Sequence, residues 1–160
     1  MVKLSERLQA VLGFVRGKTL ADIGADHAYI PIAACQSGLC ETAIACDIKP
    51  GPLGKAAENI KAYNLESRIQ TRLGAGLTPL HTGEADCIVI AGMGGMNIIE
   101  ILTASLETAK AAKRLVLQPQ RDLPKVKAAL SAMGFLIEDE KTAREGDRFY
   151  PVVAARHREG

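Results

Sequence analysis

The chain has 160 residues, 48% of them hydrophobic, with 20 Lys+Arg against 18 Asp+Glu and a formal net charge of +2. That length suits one domain with a real core, and no apolar run approaches the length of a membrane span. The charge is too balanced to establish a nucleic-acid partner, and an aromatic content of 4% leaves few platforms for base stacking.

The N-terminal segment lacks the apolar region of a signal peptide, so a cytoplasmic protein of one domain over residues 1–160 is expected. Leu4, Leu8, Val11, Leu12 and Val15 recur at helical spacing and predict an amphipathic helix over about residues 3–16. Its charged face, with Lys3, Glu6, Arg7 and Gln9, reads as solvated. A first strand follows over residues 18–23. It runs into Gly24-Ala25-Asp26-His27-Ala28-Tyr29-Ile30-Pro31, a glycine turn and then a helix start. Gly24 supplies backbone freedom, and Pro31 suits a first helical turn. A strand, a glycine turn and a helix N-terminus form a natural cleft for a nucleotide-like ligand. The turn is not G-x-G-x-x-G, because Asp26 and His27 stand where a dinucleotide fold places glycines. An acidic turn repels a pyrophosphate and suits a ligand with a positive end, such as S-adenosyl-L-methionine.

A second strand, over residues 42–48, lacks polar alternation, as strands covered on both faces do. Asp47 ends the run. An acid there, roughly 20 residues after the glycine turn, occupies the ribose-binding position of nucleotide folds. The alternative is a solvated strand-end acid or a helix cap. Gly51-Pro52 opens a helix that Asn64 can end in a left-handed conformation. A third strand, residues 68–73, precedes the loop Gly74-Ala75-Gly76-Leu77, whose glycines allow close approach to a flat ligand.

The fourth strand, residues 86–91, runs into Gly92-Met93-Gly94-Gly95-Met96, read as an active-site wall rather than a plain tight connection. A helix over residues 97–110 and a fifth strand over 114–118 follow, with Gln118-Pro119-Gln120 ending on the same rim. Asp122 is expected to cap the next helix, which Gly134 closes. Residues 135–142 and 149–155 read as two last strands, with residues 143–148 as a polar turn. So short a link requires them to be antiparallel. The tail, residues 156–160, is expected to fray. Cys35, Cys40, Cys46 and Cys87 lack C-x-x-C spacing and read as reduced buried thiols, with no metal site.

The order of these motifs resembles the bacterial tRNA (adenine-22-N1)-methyltransferase family. The resemblance rests on Leu4-Ser5-x-Arg7-Leu8, the stretch Ala21-Asp22-Ile23-Gly24-Ala25-Asp26-His27-Ala28-Tyr29-Ile30-Pro31, Ala91-Gly92-Met93-Gly94-Gly95 and Leu117-Gln118-Pro119, and it covers nearly the whole chain. It implies an α/β fold with a Rossmann-like class I methyltransferase sheet, mostly parallel, with a C-terminal antiparallel hairpin and helices on both faces. It further implies S-adenosyl-L-methionine as cofactor, S-adenosyl-L-homocysteine as product and tRNA as substrate, with no metal and no membrane. By this resemblance Asp22, Gly24, Ala25, Asp26 and His27 line the methionine end of the cofactor. Asp47 holds the ribose, with Ile48 against the adenine. Gly74, Ala75, Gly76 and Leu77 edge the adenine, and Ala91, Gly92, Met93 and Gly94 run along the cofactor towards the target base. Asp26, His27, Tyr29, Gln118 and Pro119 are implied as catalytic residues that shape the target pocket. A packed structural His27 and simple packing of Tyr29 against the first helix stay open.

Two departures stand out. The family usually carries an acid inside the loop after the third strand, where this chain has Ala75. The family also continues into a C-terminal helical, coiled-coil-like domain that helps hold tRNA, whereas this sequence stops just after its last strand. The competing readings are a methyltransferase acting on a small molecule and a non-catalytic module that binds the cofactor or RNA. A nicotinamide-dependent oxidoreductase would share the fold but lacks its G-x-G-x-x-G turn here.

Overall fold

The computed structural model describes residues 2–159. A seven-stranded sheet runs through them in the order β3-β2-β1-β4-β5-β7-β6, with β1 Thr19–Ile23, β2 Thr42–Asp47, β3 Ile69–Leu73, β4 Cys87–Met93, β5 Arg114–Pro119, β6 Phe135–Glu145 and β7 Arg148–His157. β3, β2, β1, β4 and β5 pair in parallel, and β7 pairs antiparallel with both β5 and β6. The helices are α1 Glu6–Leu12, α2 Tyr29–Gln36, α3 Pro50–Ala62, α4 Gly95–Ala104, α5 Leu106–Ala111 and α6 Leu123–Ala132.

β1, β2, β4 and β5 lack polar alternation because both faces are covered, whereas the outer strands β3 and β6 carry polar, exposed residues. Leu20, Ala43, Ala45, Val89 and Val116 point into one core with Val11, Ile30, Ile32, Ala56 and Ile60, which belong to α1, α2 and α3. Their strand neighbours Ala21, Ile44, Ile88, Ile90, Leu115 and Leu117 point into a second core with Ile98, Leu102, Ala109, Val126 and Leu130, from α4, α5 and α6. Successive strand residues face opposite sides, so one apolar run feeds two cores. β1 lies between β2 and β4, and the chain order reverses there. In an open α/β sheet a crevice opens at that point, beyond the carboxyl ends of the strands.

Several boundaries differ from the sequence reading. α1 is shorter than the apolar spacing suggests. Ser5 caps it by accepting from the Leu8 amide at 3.3 Å, and the helix ends before Gly13. Phe14 and Val15 stay buried because their amides bond Val11 and Leu12 in tighter turns of 3.1 Å each. The helix expected over residues 97–110 breaks at Ser105, whose backbone (φ −132°, ψ 48°) leaves the helical region. Asp122 sits at the N-cap of α6 with φ 62° but makes no side-chain cap bond. The residues read as a polar turn continue both last strands, so the turn is only Gly146-Asp147. Gly146 has φ 60°, the left-handed first central position of a type II′ hairpin. Arg156 and His157 belong to β7 rather than to a frayed tail. His157 is buried against Phe135, and its Nε2 lies 2.9 Å from the Met133 carbonyl. Gly160 lies outside the described residues.

All four cysteines are buried and reduced, and the sulfurs of Cys35 and Cys40 lie 3.7 Å apart. Among the described residues no helix is long and apolar enough to cross a membrane.

Candidate functional site

The turn after β1 is pinned to the neighbouring strand. The amides of Gly24 and Ala25 both donate to the Cys46 carbonyl, at 2.9 and 3.0 Å. Gly24 has φ 72°, Asp26 has φ 50° and Ala28 has φ 60°. A left-handed alanine is costly, so the surrounding structure must impose it, as happens at ligand-binding turns. The Ala28 amide closes the turn onto the Ala25 carbonyl at 2.8 Å, and Asn59 of α3 donates to the His27 carbonyl at 2.9 Å.

Two clefts open beyond the carboxyl ends of the strands. The first, of about 390 Å³, is lined by Asp22, Gly24, Ala25, Asp26, His27, Tyr29 and Ile30 from the β1–α2 segment. Ala91, Gly92 and Met93 from β4, Gln120 past β5, and Arg7 and Leu8 from α1 complete it. The second, of about 360 Å³, is lined by Ile23, Gly24, Asp47 and Ile48, the loop Gly74-Ala75-Gly76-Leu77, and Met93. Asn97, Glu100, Ile101 and Ser105, on and just past α4, close its far side. Gly24 and Met93 belong to both clefts. A Cβ on Gly24 would lie 2.6 Å from the Met93 Cε. The absence of that carbon lets the Met93 side chain rest on the turn where the clefts meet, with the Asn97 amide 3.6 Å from its sulfur.

Charge is distributed unevenly between them. The first cleft holds three charged groups around a partly apolar floor. Asp22 is only 6% exposed, and burial pushes its carboxyl up to about 7, aided by Asp47 and Asp26 and opposed by Arg7. Asp26 lies at the mouth with its side chain 69% exposed, 3.9 Å from the His27 Nε2. The His27 ring stacks on Tyr29 with centroids 5.2 Å apart and an interplanar angle of 24°. In the second cleft the Asp47 carboxylate accepts from the Lys49 amide at 3.0 Å, which fixes its direction at the strand tip.

Gln118 and Pro119 stand elsewhere. Both are buried, and neither lines a cleft. Gln118 is 0% exposed and acts as a brace. Its Oε1 accepts from an Arg7 guanidinium N–H at 3.1 Å and from the Gly92 amide at 3.2 Å, and its Nε2 donates to the Pro119 carbonyl at 3.0 Å. It therefore aims Arg7 into the first cleft and holds the β4 loop. Gly94 lines neither cleft either. It is the N-cap of α4 and packs under the Arg121 guanidinium. At Gly95 a Cβ would lie 2.5 Å from the Arg121 carbonyl, so that glycine is a packing requirement.

The sequence reading treated Arg7 as part of a solvated face. Its place in the first cleft depends on where α1 docks, which periodicity does not reveal. Leu8 and Ile30 were also missed, while Gln120, read as a rim residue at the end of β5, does line the first cleft. Asn97, Glu100 and Ile101 carried a usable signal, since positions three and four apart on a helix share a face.

Comparison with known proteins places this geometry among relatives. The family model described as a methyltransferase domain matches residues 4–153. The tRNA (adenine(22)-N(1))-methyltransferase of Bacillus subtilis is 38% identical over 155 residues, which cover 96% of this chain and 65% of that protein. The chain thus spans less than two thirds of that relative's length. The crystal structure of the B. subtilis m1A22 tRNA methyltransferase TrmK superposes with a TM-score of 0.93 at 37% identity, covering 98% of this chain and 68% of that one. Streptococcus pneumoniae Sp1610 in complex with S-adenosyl-L-methionine gives a TM-score of 0.93 at 36% identity, covering 97% and 73% of the two chains.

Proposed function

The chain belongs to the methyltransferase-domain family, and we propose that it transfers a methyl group from S-adenosyl-L-methionine to N1 of an adenine in tRNA. The observation that carries the reading is the pair of clefts that meet at Gly24 and Met93, each with an acid at its strand tip. The named activity of the B. subtilis relative supports tRNA as the substrate class.

The residues fit the cofactor by the chemistry of their donors and acceptors. Arg7 is suited to the amino-acid carboxylate, and Asp22 and Asp26 to the ammonium. Asp47 is suited to the ribose hydroxyls, since a carboxylate can accept from both. Ile48, Leu77 and Ile101 offer apolar surface for an adenine ring, with Asn97 and Glu100 as polar groups near its edge. When bound, S-adenosyl-L-methionine supplies an electrophilic methyl group.

The protein's own work is positioning and electrostatics. The stacked His27 and Tyr29 rings offer a flat wall at the mouth of the first cleft, against which a target base can lie. Adenine N1 carries an in-plane lone pair at neutral pH, so no general base is needed to expose it. Transfer moves positive charge onto the adenine ring. The Asp26 carboxylate at the mouth can stabilise that charge and accept from the adenine amino group, a preorganised electrostatic role. Gln118 acts at one remove, by holding Arg7. With tRNA as substrate the reaction belongs in the cytoplasm, and residues 1–160 work as one catalytic domain.

The test is incubation of the chain with methyl-labelled S-adenosyl-L-methionine and unmodified tRNA, followed by digestion to nucleosides. The expected product is labelled 1-methyladenosine. Label on another nucleoside, or none on tRNA under conditions where the cofactor binds, overturns the reading.

A further inference from the structure

We propose that the tip of the β6–β7 hairpin is an RNA-docking arm, on which Phe149 and Arg144 stack an unpaired base of the substrate RNA beside the first cleft. This rests on the reading of the substrate as RNA. β7 pairs with β5 only from Ala155 to Val153, opposite Leu115 to Leu117. Pro151, which has no N–H to donate, lies just past that pairing. From Val152 to Arg148 β7 pairs with β6 alone. A run of that length projects on the order of 16 Å beyond the paired part of the sheet.

The two faces of the arm differ. On the inner face Ala143 is buried, Tyr150 packs against the core, and Glu145 accepts from the Arg7 amide at 2.7 Å. On the outer face Arg144 and Phe149 are register partners. Phe149 is 64% exposed in a chain with only three phenylalanines. The Arg144 guanidinium lies 5.7 Å from its ring centroid, and its Nε donates to the Gly146 carbonyl at 3.0 Å. Arg144 therefore covers one side of the ring, and the exposure leaves the other open. Arg148 is the register partner of Glu145 and shares the inner face, so Arg144 is the cation beside Phe149, while Asp147 and Arg148 are exposed at the tip and leave it with one net positive charge for a phosphate backbone.

The arm is continuous with the first cleft. Arg7 lines that cleft, and its guanidinium lies 6.0 Å from the ring centroid of Tyr150 on the inner face, so the arm rises next to the cleft with Phe149 on its opposite, outer face. One exposed ring is far too small for a protein interface, which needs roughly 800 Å² from each partner. It is large enough for one base, because base–aromatic stacking tolerates any sequence and Arg adds a cation–π contribution.

The experiment measures tRNA affinity of the full chain by filter binding with an unmodified tRNA transcript, methyl transfer to the same transcript, and cofactor affinity by calorimetry. Phe149→Ala is expected to weaken tRNA binding about fivefold or more. Phe149→Tyr is expected to restore it to within twofold, and cofactor affinity is expected to stay unchanged in both. tRNA affinity within twofold of the parent in Phe149→Ala overturns the docking arm, even if methyl transfer is intact. Absence of tRNA binding by the parent also overturns it. Loss of tRNA binding in Phe149→Ala by a chain that transfers no methyl group keeps the arm and overturns the proposed activity.

Discussion

Asp22 ties stability, pH and ligand binding together, and Asp22→Asn is the substitution that exposes the link. Burial raises its carboxyl from the ordinary value of 3.8 to about 7. The folded protein therefore holds a proton that the unfolded chain releases, and stability falls as pH rises from about 4 to about 7. A rise of roughly three units corresponds to about 4 kcal/mol in total, at about 1.4 kcal/mol per unit. That is a large share of the 5–15 kcal/mol typical of a domain. Asp22→Asn keeps the shape and removes the titration, so the variant should lose this slope and be more stable than the parent at pH 8. With a urea dependence near 2–3 kcal/mol per molar, the midpoint gain there is roughly 1.5 M. Cofactor binding should show the opposite trend. An ammonium partner needs the ionised carboxylate, so affinity for S-adenosyl-L-methionine should rise about 20-fold between pH 5.5 and 7.5 and level off above. Arg7, Asp26, His27 and Asp47 lie around the same clefts, so only the difference between parent and Asp22→Asn isolates this group. Urea unfolding and calorimetry across that pH range make the measurement. A parent and a variant with the same stability slope would refute the reasoning.

Asp47→Ala should weaken S-adenosyl-L-methionine and S-adenosyl-L-homocysteine binding by about 1.5–3 kcal/mol, the usual size for hydrogen bonds to a charged group, while NAD shows no tight binding to the parent. Calorimetry with each ligand reads this directly. Asp26→Asn should lower turnover at saturating cofactor far more than cofactor affinity, because the lost interaction is made mainly in the transition state. A parallel loss of affinity with turnover intact would make Asp26 a cofactor ligand only. Arg72 grips Glu84 with two bonds of 2.7 and 2.6 Å and holds its carboxyl down to about 2. That stability is present above the ordinary carboxylate value and is lost as pH falls towards 2. Glu84→Gln should therefore cost about 1–2 kcal/mol at pH 7 and flatten the acid limb of a thermal-unfolding series.

The parallel part of the fold was legible because a strand covered on both faces must be apolar throughout, and four such runs separated by helical spacing leave few other topologies. The acidic turn around Asp26 and the acid at Asp47 were legible for a related reason. Strand ends and glycines mark the ligand rim of such a sheet in the sequence itself. What remained hidden depends on contacts between distant segments. Arg7 reads as a surface charge until α1 docks beside β5 and Gln118 bonds its guanidinium. Gln118 reads as a rim residue until the packing buries it. The left-handed Ala28 violates its own preference and is held by its neighbours. The last two strands read as shorter than they are, because the arm beyond β5 has one solvent-facing side and no apolar run to announce it. Composition and periodicity report what each segment wants to bury. Which charges end up facing one another across a cleft is decided only when the two cores close, because that choice is made by surfaces far apart in the chain.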